Sequence, residues 1–146
     1  MSARILVIRL GALGDFVLSS GPFQAIRNHH RDAHIVLLTT APYEVLAQAG
    51  GWFDEVWLDS KPKWWQFSDV RALSRRLNED AFDRVYDLQT SDRSSSYFRL
   101  FKRPRPEWSG IARGCSHPHA NPDRDRLHTV ERQADQLHMA GIDNVP

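Results

Sequence analysis

Residues 4–15 read RILVIRLGALGD. Ile5 to Ile8 is an unbroken aliphatic and β-branched run, and it stops at a turn that holds Gly11 and Gly14. A run of that length without polar alternation is a short strand buried on both faces, as in parallel sheets. The segment that follows, Asp15 to Asn28, is long enough for a helix but contains Gly21 and Pro22. Proline lacks an N–H and crowds the turn before it. The segment is therefore either kinked near Leu18, or it opens with a short turn that leads into a main helix from Pro22.

The same strand-then-helix pattern continues outward from this start. Ile35 to Thr39 (IVLLT) reads as a second buried strand. Pro42 to Gln48 has helical spacing, with Tyr43, Leu46 and Ala47 on one side and Gly50 as a stop. Glu55 to Leu58 reads as a third strand. Phe67 to Leu77 is helical, because Phe67, Val70, Leu73 and Leu77 recur at three and four residues. Val85 to Leu88 is a fourth strand, and Ser91 begins another helix. Trp108 to Ile111 reads as a fifth, shorter strand. The polar stretch Arg113 to Arg126 lacks periodicity and reads as a loop. Leu127 to Ala140 closes the chain as a helix, with Gly141 as its stop. Four alternations of strand and helix predict an α/β fold with a parallel sheet of about five strands and helices on both faces.

Composition agrees and narrows the function classes. The 146 residues are 41% hydrophobic and 10% aromatic, enough for a core and too apolar for a disordered tail. Nineteen Lys and Arg against 18 Asp and Glu leave a net charge of +1, so no basic field points to nucleic acid. One cysteine, Cys115, has no partner for an internal disulfide, which fits a reduced, cytoplasmic compartment. The apolar runs are too short to span a bilayer, and no signal peptide is visible.

In open α/β sheets, ligands sit outside the carboxyl ends of the strands. The first such loop, Leu10 to Asp15, is neither G-x-G-x-x-G nor a P-loop, and no acidic residue ends the second strand. A nicotinamide-dependent oxidoreductase is therefore disfavoured. Asp15 has two compatible readings. It is either an N-cap for the following helix, or a carboxylate at the mouth of the sheet that accepts a proton from a hydroxyl. A base at a helix N-terminus would need burial or a nearby anion to keep its basicity. Lys61 and Lys63 suit phosphates or carboxylates, and Trp64 and Trp65 beside them either cap the core, stack on sugars or touch a membrane interface. Gln89 can hydrogen-bond sugar hydroxyls, while Asp87 reads as a cap or orienting residue. The cluster Arg99, Lys102, Arg103 and Arg105 reads first as a solvated helix end. Cys115, His117, His119 and His128 lack the paired spacing of structural zinc, so no metal is expected. Arg113 is a phosphate candidate in a flap-like loop.

Three segments carry a family resemblance. ILVIRLGALGDFVLSSGPFQAIR (5–27) resembles the opening of glycosyltransferase family 9, which contains the lipopolysaccharide heptosyltransferases. DRVYDLQTSDRSS (83–95) resembles the family's fourth strand, where Asp-Leu-Gln is usually followed by Gly and Thr90 stands instead. HTVERQADQLHMAGI (128–142) resembles the helix that closes the family's N-terminal domain. The order of the three matches is also the family's.

The resemblance implies a GT-B architecture of two facing Rossmann-like halves. Residues 1–146 would be the N-terminal, acceptor-side half, and the C-terminal donor-binding half would be absent from this chain. It implies inverting transfer of a heptose-like sugar from a nucleotide sugar such as ADP-heptose to a lipid-linked, lipopolysaccharide-core acceptor. No metal is expected, and the lipid-linked acceptor implies peripheral contact with the cytoplasmic face of the inner membrane. Asp15 takes the family's general-base position. Gly11 and Gly14 shape the turn, and Lys61, Lys63, Gln89 and Arg113 are acceptor candidates. The isolated domain is expected to be inactive. The alternative is a non-catalytic, Rossmann-like module that binds a sugar or nucleotide.

Overall fold

The computed structural model describes residues 3–79 and 81–146. The opening run forms β1 (Arg4–Ile8) at the centre of a six-stranded sheet. With it pair β2 (His34–Thr39), β3 (Glu55–Leu58), β4 (Arg84–Asp87), β5 (Glu107–Gly110) and β6 (His117–Pro118). The order is β3-β2-β1-β4-β5-β6, and every pairing is parallel. The five expected strands are present, and a sixth of two residues joins them at the edge. It lies inside the stretch read as a loop, and two residues are too few to show a period.

The two-sided burial of β1 divides the core in two. Ile5 and Val7 join one cluster with Phe16, Phe23, Ile26, Ala47 and Leu137. Leu6 and Ile8 join the other with Trp57, Leu77, Tyr97 and Trp108. The first face is covered by α1 (Leu13–Leu18), α2 (Ser20–His29), α3 (Glu44–Gly50) and α6 (Thr129–Met139). The second is covered by α4 (Phe67–Glu79) and α5 (Asp92–Tyr97). Alternate residues of one strand feeding two layers of helix is what a continuous apolar run requires, since both faces must leave water.

The segment after β1 is two helices broken at Ser19. Pro22 has no N–H for the Leu18 carbonyl, so the hydrogen-bond ladder is interrupted there. Ser19 closes α1 by donating its N–H to the Asp15 and Phe16 carbonyls, each at 3.1 Å. The kink reading near Leu18 holds, and α2 starts two residues before Pro22. The third helix runs through Gly50, and its left-handed cap is Gly51, with φ of 71°. The last helix begins at Thr129, after an extended His128 whose ring accepts from the Val130 N–H. Among the described residues, no helix is long and apolar enough to cross a membrane.

Candidate functional site

Strand order reverses at β1: β2 and β3 run to one side, β4 to β6 to the other. The loops after β1 and β4 therefore part, which leaves a crevice at the carboxyl ends. A cleft of about 120 Å³ occupies it, lined by Arg9, Asp15, Gln89, Thr90, Thr129 and Arg132, among others. The first turn of α6 forms its third wall.

Asp15 is the third residue of α1, and the cap position is Ala12, so the capping reading is corrected. Its carboxylate is instead turned to the cleft and 45% exposed. Oδ2 lies 3.5 Å from Nη2 of Arg9, and Oδ1 accepts from the Thr129 hydroxyl at 3.3 Å. Neither burial nor a neighbouring anion is supplied here; the nearest charge is a cation. Arg9 itself is buried and donates through Nη1 to the Leu88 carbonyl at 2.6 Å. Burial pulls its guanidinium below the ordinary range, Asp15 acts against that, and Arg132 adds to it.

The two predicted glycines differ. Gly11 has φ of 148°, and a Cβ there would lie 3.1 Å from the Tyr43 ring, so only glycine fits. Gly14 is helical and faces open space. Gln89 is a tie: its Oε1 accepts the N–H groups of Leu10 at 2.9 Å and Gly11 at 3.3 Å. It thereby joins the loop after β4 to the loop after β1.

Asp87, at the end of β4, is fully buried. Its oxygens accept from the Thr90 N–H and the Ser94 hydroxyl, each at 2.9 Å. Burial outweighs these bonds and pushes its pKa up to about 6. Thr90 takes a left-handed φ of 46°, the conformation glycine adopts without strain. Ser91 and Ser94 then form a reciprocal capping box at the start of α5.

The other predicted residues lie outside this cleft. Lys61 borders a separate hollow with Gly11, Tyr43, Asp59 and Gln89. Its N–H is held by Asp59, which also accepts from the Tyr97 hydroxyl at 2.5 Å. Lys63 sits over the Trp65 ring, 5.2 Å from its centroid. Trp64 and Trp65 do not cap the core, being 76% and 54% exposed. Trp64 edges an apolar groove of about 420 Å³ with Pro62, Val70, Leu73, Tyr97 and Leu100. Arg113 is exposed in the loop between β5 and β6, and no side-chain hydrogen bond or ion pair to another described residue fixes it.

The Arg113 to Arg126 stretch is an anchored segment rather than a flap. His119 is buried, and its Nε2 meets Asp135 Oδ2 at 2.6 Å, which with Asn121 holds the Asp135 carboxyl below the usual range. Arg124 donates through Nε to His119 Nδ1 and through Nη2 to the Thr90 hydroxyl at 3.0 Å. Among the described residues, no three His, Cys, Asp or Glu are grouped to hold a metal. Arg9, Arg124, Thr129 and Arg132 were missed from sequence. Arg9 carried the one available signal, a charge placed directly after a buried strand. The other three reach the cleft through tertiary folding.

Fold and cleft together define a Rossmann-like α/β domain that presents a carboxylate and several guanidinium groups at its sheet reversal. No family model matches the sequence, and no curated protein does. Solved structures do. The family 9 glycosyl transferase from Veillonella parvula DSM 2008 superposes with a TM-score of 0.80 at 21% identity, over 99% of this chain and 42% of that one. The E. coli heptosyltransferase WaaC, solved with ADP-2-deoxy-2-fluoro heptose, gives 0.69 at 15% identity, over 98% of this chain and 50% of that one. E. coli ADP-heptose lps heptosyltransferase II gives 0.69 at 19%, over 93% and 41%. The chain thus spans 41% to 50% of their lengths and has the fold of their N-terminal part.

Proposed function

We propose that this chain is the N-terminal, acceptor-side domain of a family 9 glycosyltransferase of GT-B architecture. The reaction is inverting transfer of a heptose-like sugar from a nucleotide sugar such as ADP-heptose to a lipopolysaccharide-core acceptor. The observation that carries the reading is the place of Asp15: on the first turn after β1, at the sheet reversal, with its carboxylate half-exposed in a polar cleft. The likeness in fold over nearly the whole chain supports it.

Asp15 accepts the proton of the acceptor hydroxyl as that oxygen attacks the anomeric carbon, and the nucleoside diphosphate leaves from the opposite face. Arg9 and Thr129 fix the carboxylate at the cleft wall. Its basicity rises when acceptor and donor domain exclude water from the cleft. A second, donor-binding domain supplies the nucleotide sugar, so this domain alone binds acceptor without turnover. Lys61, Lys63 and Arg113 guide the anionic acceptor toward the mouth, and Trp64, Trp65 and Phe67 rest at the cytoplasmic membrane surface where a lipid-linked acceptor is held.

The test is heptose transfer from ADP-heptose to a deacylated core acceptor by the two-domain enzyme. Asp15→Asn, which keeps shape and loses the base, should cut kcat at least about a hundredfold. Turnover within a few-fold of the parent protein would remove Asp15 from the base role.

A further inference from the structure

Three guanidinium groups gather at one cleft. Arg9 forms its floor and Arg132 its α6 wall, while Arg124 reaches its edge by donating to the Thr90 hydroxyl. Burial lowers the proton affinity of Arg9 and Arg124, and the like charge of Arg132 lowers it further in both. Guanidinium does not shed its proton to relieve that repulsion.

The local carboxylates do not balance the cluster. Among the described residues, Asp15 is the one acidic residue lining the cleft, and it stands 3.5 Å from Arg9. Asp87, buried behind, favours the charged forms of Arg9 and Arg124, but its oxygens are taken by Thr90 and Ser94 and it is one carboxylate among three guanidinium groups. Asp125, which pairs with Arg124, is 88% exposed and so largely screened by water. Asp135 is occupied by His119 and Asn121. Donor capacity is also left over. Arg9 Nη2, 3.5 Å from Asp15, makes no hydrogen bond among the described residues, and the one bond Arg132 donates among them is to Thr129 at 3.4 Å.

We propose that Arg9, Arg124 and Arg132 form a subsite for one phosphate-class anion beside Asp15. The cleft's lining is almost wholly polar, and its volume of about 120 Å³ is well below the hundreds of Å³ that whole nucleotides occupy. It therefore takes a single anionic group of a larger molecule. Arg9 and Arg132 donate to it, and Arg124, whose nitrogens are already engaged, contributes charge. Which molecule brings the anion, acceptor or nucleotide sugar, rests on the glycosyltransferase reading; the subsite does not.

The experiment titrates inorganic phosphate into the protein at fixed ionic strength, by phosphorus NMR, with chloride as reference. Saturable binding is expected. Arg132→Gln should weaken it by roughly tenfold, the scale of one charge-assisted contact, and Arg124→Gln, which removes charge but no direct contact, by about two- to threefold. Asp15→Asn should tighten it, because the competing carboxylate is gone. Arg31→Gln, exposed in the turn two residues past the end of α2, should leave it unchanged. These variants carry the test because Arg9→Gln also removes the buried bond to Leu88. ADP and a sugar phosphate then compete for the bound phosphate: displacement by ADP assigns the subsite to the donor, and by the sugar phosphate to the acceptor. Binding no stronger than chloride, or equal in Arg132→Gln and Arg31→Gln, overturns the proposal. Such a failure with heptose transfer intact leaves the glycosyltransferase reading standing. Phosphate binding without any transfer does the reverse.

Discussion

Gln89 shows how one side chain sets the geometry of the cleft. Its Oε1 accepts two backbone N–H groups from the loop after β1, which would otherwise be left without a protein partner. Gln89→Ala strands both donors, and an expected loss of about 1–3 kcal/mol in urea unfolding follows. Gln89→Glu keeps the acceptor and should retain most of that stability. At Gly11 the constraint is steric. Alanine there must hold φ of 148° with its Cβ against the Tyr43 ring, so Gly11→Ala should unfold at lower temperature than the parent. Thr90 is a third local case: its left-handed turn is held by Asp87 from behind and by Arg124 from the side.

At the scale of elements, two groups packed at β4 titrate in opposite directions. His30, which ends α2, meets the Tyr86 hydroxyl at 2.7 Å. Burial, then His29, Arg84 and Arg27, push its pKa down to about 4 from 6.5. The folded chain thus binds fewer protons here than the unfolded chain, and this group makes stability rise as pH goes from about 4 to 6.5. Asp87 works the other way. Burial raises its pKa from 3.8 to about 6, so the folded chain binds more protons and stability falls with pH over nearly the same window. The two slopes offset one another in the parent protein. His30→Gln should therefore make stability fall more steeply with pH, relative to the parent, and Asp87→Asn should make it rise. Melting curves between pH 4 and 6.5 check this; difference curves flat in both variants would show that neither group is shifted. The depressed carboxyls of Asp54, Glu55 and Asp135 are common to all three proteins and drop out of the differences.

For the molecule as a whole, α6 is the clasp. It buries Leu137 in the same core cluster as Ile5, Val7 and Tyr86 and ties the carboxyl ends of the sheet through Gln136, whose Nε2 donates to the Asp87 carbonyl at 2.9 Å and the Ser109 carbonyl at 3.2 Å. The same helix brings Thr129 to Asp15 across 114 residues of sequence. Leu137→Ala leaves a cavity under α6 and should cost about 2–5 kcal/mol in urea unfolding. The phosphate subsite should weaken in parallel, since Arg132 rides on that helix.

The local parts of this fold were legible in the residues themselves. An apolar run that must be buried on both faces gave β1, the Pro22 break followed from a missing N–H, and Asp15 stood at the carboxyl end of a parallel strand. Each depends on neighbours within a few positions. Strand β6 was hidden because two residues carry no period. The role of Gln89 was hidden because its partners are 78 and 79 residues away. The sequence determined, by itself, an α/β domain and the loop on which its carboxylate sits. Only the tertiary structure decided that Arg9 and Arg132 line the cleft with that carboxylate and that Arg124 reaches its edge at Thr90, while Lys61, Lys63 and Arg113 stand apart. Charges that meet across the reversal of a sheet are brought together by strand order and helix packing, and no spacing along the chain encodes that.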